Sequence, residues 1–229
     1  MLGMAMMSNV YIEFLKKNFP SLNLDNEKIL EKIHLKICEN NIMSDFFLAN
    51  ILNVYPNAKS EYIKIYKLQM NRILIYIGIN DQNVLNFCFR SFIESILKLI
   101  YSLQNNYEIE KINKTSFRFL GDSLKDDKKS LYPNMKNDIS KLLSYYGQYS
   151  NDIHGKNINV QNEIEYMQLI LSSNNSINYN KIYTDLNNII KIYELILIRA
   201  LNLTMESSVV FRLSKILSND QIKAIFKVV

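Results

Sequence analysis

The segment from Asp81 to Gln104 constrains the fold more than any other part of the sequence. Its apolar residues recur at spacings of three and four: Leu85, Cys88, Phe89, Phe92, Ile93, Ile96, Leu99, Ile100 and Leu103. At about 100° per residue, these side chains fill about half the circumference of an α-helix. The opposite arc is polar and includes Arg90, Glu94 and Lys98. So wide an apolar face predicts a central helix that packs against at least two neighbours.

Glycine and proline are too scarce for a fold with many tight turns. The 229 residues include 5 Gly and 3 Pro, whereas a β-sandwich or barrel needs turn residues roughly every 8–12 positions. The sequence therefore predicts an all-α helical bundle. No stretch reaches the ~20 apolar residues of a membrane span. Cys38 and Cys88 lie in apolar contexts without a partner spacing, so we expect buried free thiols in a soluble, cytoplasmic protein.

Further helices are expected on both sides of this central one. Apolar periodicity and breaker residues predict helices beginning near 25 and covering about 44–54, 60–77, 134–154, 179–203 and 208–229. The second of these ends before Pro56, and the third stops near Gly78. Residues 105–133 are expected to be mobile loop with one short helix at 116–124. The 81–104 and 134–154 helices are expected to be antiparallel neighbours. A boundary after residue 80 divides a predicted N-terminal helical lobe (1–80) from a helical domain (81–229).

Motifs that identify common classes of enzyme are missing. There is no glycine-rich phosphate loop, no His-Glu-x-x-His, no paired Cys/His spacing and no Gly-x-Ser-x-Gly. Because His34 and His154 are the two histidines, a site with several histidines is impossible, and we expect no metal and no cofactor. A magnesium site made of carboxylates leaves no distinctive spacing, so that alternative stays open. The net charge of +5 permits contact with nucleic acid, but basic and acidic residues are interleaved.

A small polar stripe at the end of the 134–154 helix is the best candidate site. Gly147, Ser150, Asn151 and His154 lie at i, i+3, i+4 and i+7 and therefore share one face. Glycine lets a backbone or a phosphate come close. A histidine in the last turn lies beside unpaired carbonyls, which favour the imidazolium, and can serve as a general acid near neutral pH. The alternative is that His154 simply caps the end of the helix.

Two segments resemble the HEPN superfamily of helical domains. Tyr149 to Lys156 (Tyr-Ser-Asn-Asp-Ile-His-Gly-Lys) is similar to its signature helix end, and Phe89 to Tyr101 is similar to the preceding core helix of prokaryotic members. The similarity covers about 81–203 and implies a bundle with HEPN-like core helices. Many HEPN domains are metal-independent ribonucleases, often toxins or phage-defence effectors, that dimerise so that two motif helices form one cleft. The resemblance thus implies a homodimer that acts on RNA, with a possible partner protein from a defence, abortive-infection or toxin–antitoxin locus.

The resemblance also implies roles for individual residues. The family pattern is an arginine, four to six residues and a histidine; His154 matches the histidine, but the arginine positions hold Gly147, Gln148 and Tyr149. His154 would be the acid and base, protonating the leaving 5′ oxygen while the RNA 2′-hydroxyl attacks. Asn151 and Ser150 would hold the phosphate.

The missing arginine leaves three alternatives. Arg90 on the preceding helix could neutralise the phosphate, with Glu94 orienting it at i+4, although an ordinary exposed ion pair is the competing explanation. Lys156 could do so as a point charge, without the fork of a guanidinium. In the third alternative the site is inactive and the chain is a non-catalytic dimerisation or interaction module, such as a regulatory or antitoxin partner. A DNA-binding regulator is disfavoured, since no helix-turn-helix with a basic recognition helix stands out.

Overall fold

The structure of the protein, a computed structural model, describes residues 2–22, 24–125, 135–153, 164–165, 167–168 and 177–227. Throughout these ranges the regular elements are helices, so the all-α prediction is confirmed. Ten helices are described in these ranges: α1 (Leu2–Asn18), α2 (Glu27–Val54), α3 (Glu61–Ile79), α4 (Gln82–Gln104), α5 (Ile109–Lys114), α6 (Phe117–Lys125), α7 (Lys136–Ile153), α8 (Tyr179–Leu201), α9 (Ser207–Leu213) and α10 (Asn219–Phe226).

Helix α4 lies at the centre of the bundle, packed most extensively against α3 and α7. All nine apolar residues that the sequence pattern assigned to its wide face are buried. The Asp81 carboxylate caps the helix, accepting hydrogen bonds from the backbone N–H groups of Asn83 (2.8 Å) and Val84 (3.2 Å). The burial of this face and the packing of α4 against both α3 and α7 confirm the prediction of a central helix with at least two neighbours.

Helices α4 and α7 pack as neighbours, as expected. The ring of Phe89 stacks on that of Tyr149, with centroids 4.5 Å apart, and Arg90 reaches Tyr146. The early turns of α4 thus meet the late turns of α7, which is the pairing of antiparallel helices. This contact positions the polar end of α7 against α4.

Helix α2 forms a second layer and packs against α1, α3, α8 and α9. An aromatic cluster joins these layers: the ring of Tyr66 lies 4.1 Å from that of Tyr193 and 6.0 Å from that of Phe92, and Phe47 lies 5.5 Å from Tyr193. These contacts connect residues from both sides of the predicted boundary after residue 80 in one core. The boundary itself stays a prediction.

Helix α2 is continuous where two helices were expected. No glycine or proline interrupts the chain between Asn26 and Pro56. The polar Asn40, fully buried in the middle of the helix, accepts a 2.8 Å hydrogen bond from the hydroxyl of Tyr66. This bond satisfies the carbonyl oxygen of the buried Asn40 side chain.

Helix α3 ends at Ile79, so the prediction that it stops near Gly78 is confirmed. Asn80 follows in the left-handed conformation (φ 60°), which asparagine tolerates better than most residues. The segment after α4, expected to hold one short helix, holds α5 as well as α6. Ile112 of α5 and Leu120 of α6 are fully buried, so core packing stabilises both short helices.

The two cysteines are free thiols, with Cys88 buried and Cys38 half-buried. Burial raises the pKa of the Cys88 thiol to about 12, which keeps it protonated at neutral pH. Among the residues that the structure describes, no helix has the length and apolar character needed to cross a bilayer.

Candidate functional site

The late turns of α7 and the facing part of α4 form the candidate site. Arg90 of α4 donates a 3.1 Å hydrogen bond from Nε to the hydroxyl of Tyr146, and its guanidinium carbon lies 5.4 Å from the centre of that ring. The Tyr146 ring is buried and stacks on Phe117 of α6, with centroids 3.6 Å apart. Arg90 is therefore held against α7 by a tyrosine that α6 supports.

Glu94 does not orient Arg90, and that expectation is corrected. The Glu94 carboxylate lies 2.8 Å from the Lys98 ammonium, one turn further along α4, and Lys98 also donates to the backbone carbonyl of Asn113 at 3.5 Å. Arg90 instead faces α7. Its Nε–H donates to the Tyr146 hydroxyl, and its two terminal nitrogens have no hydrogen-bond partner among the described residues. The two terminal NH₂ groups of a guanidinium, when the described chain does not engage them, are suited to binding a phosphate.

The small polar stripe is partly open. Ser150 is half-buried, and its Oγ is shielded from solvent without a hydrogen-bond partner among the residues described. Asn151 is exposed. A Cβ added to Gly147 would meet nothing within 4 Å. Because Tyr146 and Ser150 are four residues apart, Ser150 lies one turn beyond the contact that anchors Arg90.

His154 and Lys156 lie outside the described residues, so the roles assigned to them stay predictions. In the described part of the chain, no three His, Cys, Asp or Glu side chains are grouped so that they could hold a metal ion.

The three positions where the family carries its arginine differ in their surroundings. Gly147 faces open space, and Gln148 lines a groove between α7 and α8. Tyr149 is buried and donates a 2.7 Å hydrogen bond to Asp185 of α8. Tyr146 and Tyr149 are both buried and pack in the core. An arginine would thus fit at positions 147 and 148 but not at 149.

The groove between α7 and α8 was not predicted. It encloses about 670 Å³, and Lys141, Tyr145 and Gln148 on α7 face Asn188 and Lys191 on α8. The Tyr145 hydroxyl accepts a 3.2 Å hydrogen bond from the Asn188 amide. The spacing along α7 places Lys141, Tyr145 and Gln148 on one face of that helix. The α8 side of the groove could not be predicted, because its residues are about fifty positions away in the sequence. The Lys141 ammonium lies 3.7 Å from the carboxylate of Asp138, which also lines the groove. Lysine side chains beside an aromatic ring are suited to a single-stranded nucleic acid.

No protein-family model matches the sequence, and no curated protein or solved structure matches it either.

Proposed function

We propose that the protein is a HEPN-like, metal-independent endoribonuclease that acts as a homodimer in a defence or toxin system. The observation that carries the proposal is the position of Arg90, which Tyr146 holds against α7 one turn before Ser150. Arg90 replaces the arginine that the HEPN motif would place on α7. The resemblance of Tyr149 to Lys156 supplies the second part of the argument, since it assigns His154 as the acid that protonates the leaving 5′ oxygen.

Each residue has a defined task in this reaction. The two terminal nitrogens of Arg90 donate to the scissile phosphate as a fork and neutralise its charge. The exposed amide of Asn151 holds one remaining phosphate oxygen, and the hydroxyl of Ser150, which is shielded from solvent and lacks a partner within the described chain, turns toward another when RNA binds. The ribose 2′-hydroxyl gives up its proton to water and attacks phosphorus, while the His154 imidazolium protonates the leaving 5′ oxygen. The products are a 2′,3′-cyclic phosphate and a 5′-hydroxyl.

The groove between α7 and α8 supports an RNA substrate. Lys191 supplies positive charge for the backbone, Lys141 is partly neutralised by Asp138, and Tyr145 offers a ring on which a base can stack. This groove borders Gln148 on the same helix as the stripe, so a strand that lies in it continues onto the last turns of α7.

The test is cleavage of a labelled single-stranded RNA in EDTA. Arg90→Ala is expected to lower the rate by about 100-fold or more, because a fixed charge on the phosphate is lost. Lys98→Ala is the matched control on the same helix; its ammonium pairs with Glu94, so the rate should stay within about twofold of the natural chain. Arg90→Lys should be intermediate, since a point charge replaces the fork. Equal rates for Arg90→Ala and the natural chain would contradict the proposal.

One observation favours a second candidate, a non-catalytic dimerisation or interaction module. None of the three motif positions holds an arginine, and the tyrosine at one of them is committed to Asp185. Gln148→Arg separates the two candidates. If the natural chain does not cut RNA and this variant does, the protein is a degenerate member of the superfamily that has kept its fold for interaction.

A further inference from the structure

A cavity between α2, α8 and α10 is lined by buried charged groups that the proposed reaction does not use. It measures about 610 Å³, a size typical of small-molecule sites. Lys36 and Glu39 enter it from α2, and Glu194 enters it from α8. The apolar part of the wall consists of Leu195, Leu217, Ala224 and Ile225.

The charges in this cavity are incompletely paired. The Lys36 ammonium lies 2.5 Å from Glu39 Oε1 but 3.9 Å from Glu194 Oε2. The Lys36 ammonium therefore pairs mainly with the Glu39 carboxylate, and its interaction with the Glu194 carboxyl is weak. Glu194 is 4% exposed, and its Oε1 has no hydrogen-bond partner among the residues described. A buried carboxyl oxygen without a donor is unfavourable, so its presence beside a cavity points to a missing ligand.

We propose that this cavity binds a small aliphatic amine, whose ammonium group pairs with the incompletely paired carboxyl of Glu194 and whose alkyl chain packs against Leu195, Leu217 and Ile225. An anion fits less well, because the nearest cation, Lys36, is already engaged by Glu39 and two carboxyl groups face the same space. Lys191, at the rim, is exposed, so solvent screens its repulsion of a cation.

Binding is coupled to the protonation of Glu194. Burial raises the pKa of this carboxyl to about 8; Lys36 and Lys191 oppose the shift and Glu39 adds to it. The other titratable group among the described residues lining the cavity is Tyr183. Near pH 7 the carboxyl holds a proton, which it must release when an ammonium ion pairs with it. One proton is thus freed per amine bound, and affinity rises with pH until the carboxyl is ionised.

The experiment is isothermal titration of the full chain with three probes of one length: 1-hexylamine, 1-hexanol and hexanoate. At pH 8 hexylamine should bind at least roughly tenfold more tightly than either of the others. At pH 7 its binding heat should depend on the ionisation enthalpy of the buffer, which reports the released proton. Glu194→Gln, which keeps the shape but not the charge, should weaken hexylamine at least roughly tenfold and leave hexanol unchanged.

Three results would overturn the proposal. Equal affinity for hexanol would show an apolar cavity only, tighter binding of hexanoate would show an anion site, and no binding of hexylamine at millimolar concentration would show no amine site. The comparison of the three probes on the natural chain tests the preference for an amine even if Glu194→Gln fails to fold.

Discussion

Tyr149 of α7 donates a 2.7 Å hydrogen bond to the buried carboxylate of Asp185 of α8. On another side of the same helix, Arg90 of α4 donates to Tyr146. The late turns of α7 are thus fixed from α8 by one tyrosine and from α4 by another. Because the candidate stripe lies on these turns, both contacts determine how rigidly it is presented.

Removal of the Tyr149 hydroxyl should destabilise the protein. Tyr149→Phe leaves the Asp185 carboxylate, which is 8% exposed, without this donor in a buried position. The expected loss is about 1.5–3 kcal/mol in the free energy of unfolding, measured by urea denaturation. Tyr145→Phe is the control, because that hydroxyl accepts an exposed hydrogen bond from Asn188 and its loss should cost less than about 0.5 kcal/mol. Equal effects of the two substitutions would argue against a structural role for the Tyr149–Asp185 bond.

Two glycines should respond differently to alanine. A Cβ at Gly78 would lie 2.4 Å from the ring of Phe19, closer than side chains approach, so Gly78→Ala should destabilise by about 1–3 kcal/mol. A Cβ at Gly121 would lie 3.6 Å from Leu143, an ordinary contact, so Gly121→Ala should be neutral or stabilising by up to about 1 kcal/mol. Thermal unfolding followed by circular dichroism measures both. A Gly78→Ala protein as stable as the natural chain would mean that the Phe19 ring, which directly follows α1, does not pack against α3 in this way.

The stability of the protein should depend on the pH through Glu194. Its pKa is raised by burial from an ordinary 4.5 to about 8, so the unfolded chain loses this proton at a lower pH than the folded chain does. The contribution of Glu194 is therefore complete below about pH 4.5, declines as the pH rises and is lost above about 8. Glu194→Gln cannot ionise, so its stability relative to the natural chain should rise by at least about 1 kcal/mol between pH 5 and 8.

Urea denaturation at pH 5, 6.5 and 8 measures this difference. Glu27→Gln serves as the control, since Glu27 forms an exposed ion pair with Lys16 and its effect should be small at all three values. A constant difference between Glu194→Gln and the natural chain across the three pH values would be incompatible with a buried, protonated Glu194.

The proposed homodimer has its own test at Gly147. If the stripe lies in the interface, Gly147→Leu should weaken association by about tenfold or more, because a bulky side chain blocks close approach. Helical circular dichroism should not change, since a Cβ at this position meets nothing within 4 Å in the protomer. Sedimentation at tens of micromolar should show a dimer for the natural chain and a shift toward monomer for the variant. A monomeric natural chain, or a variant that dimerises equally well, would contradict the placement.

Local features of the fold could be predicted from the sequence, because the residues that specify them are neighbours in the chain. The apolar face of α4 and its cap at Asp81 follow from periodicity and a capping residue. The lack of glycine and proline between Asn26 and Pro56 is compatible with a continuous α2, but the pairing of the buried Asn40 with Tyr66 of another helix could not be predicted. The extra helix α5 is stabilised by burial of Ile112, a tertiary contact that a six-residue segment does not reveal.

At the candidate site, too, local features could be predicted from the sequence and contacts between helices could not. Periodicity placed Arg90 on the polar arc of α4, but its hydrogen bond to Tyr146, 56 positions away, depends on the packing of α4 against α7. The pairing of Glu94 with Lys98 is a local i,i+4 contact within α4, which the spacing also allows. Glu194 had one local signal: it interrupts an apolar stretch in α8. Its proximity to Lys36 depends on contact between α2 and α8, which no local pattern encodes.

The most direct test of the proposed function is cleavage of single-stranded RNA in EDTA by the natural chain and by His154→Ala, with the product ends identified by mass spectrometry. The proposal predicts that the natural chain cuts without metal and leaves 2′,3′-cyclic phosphate ends, and that His154→Ala does not cut although its melting temperature and helical circular dichroism are nearly unchanged. Cleavage by His154→Ala at the natural rate, or no cleavage by the natural chain, would contradict it.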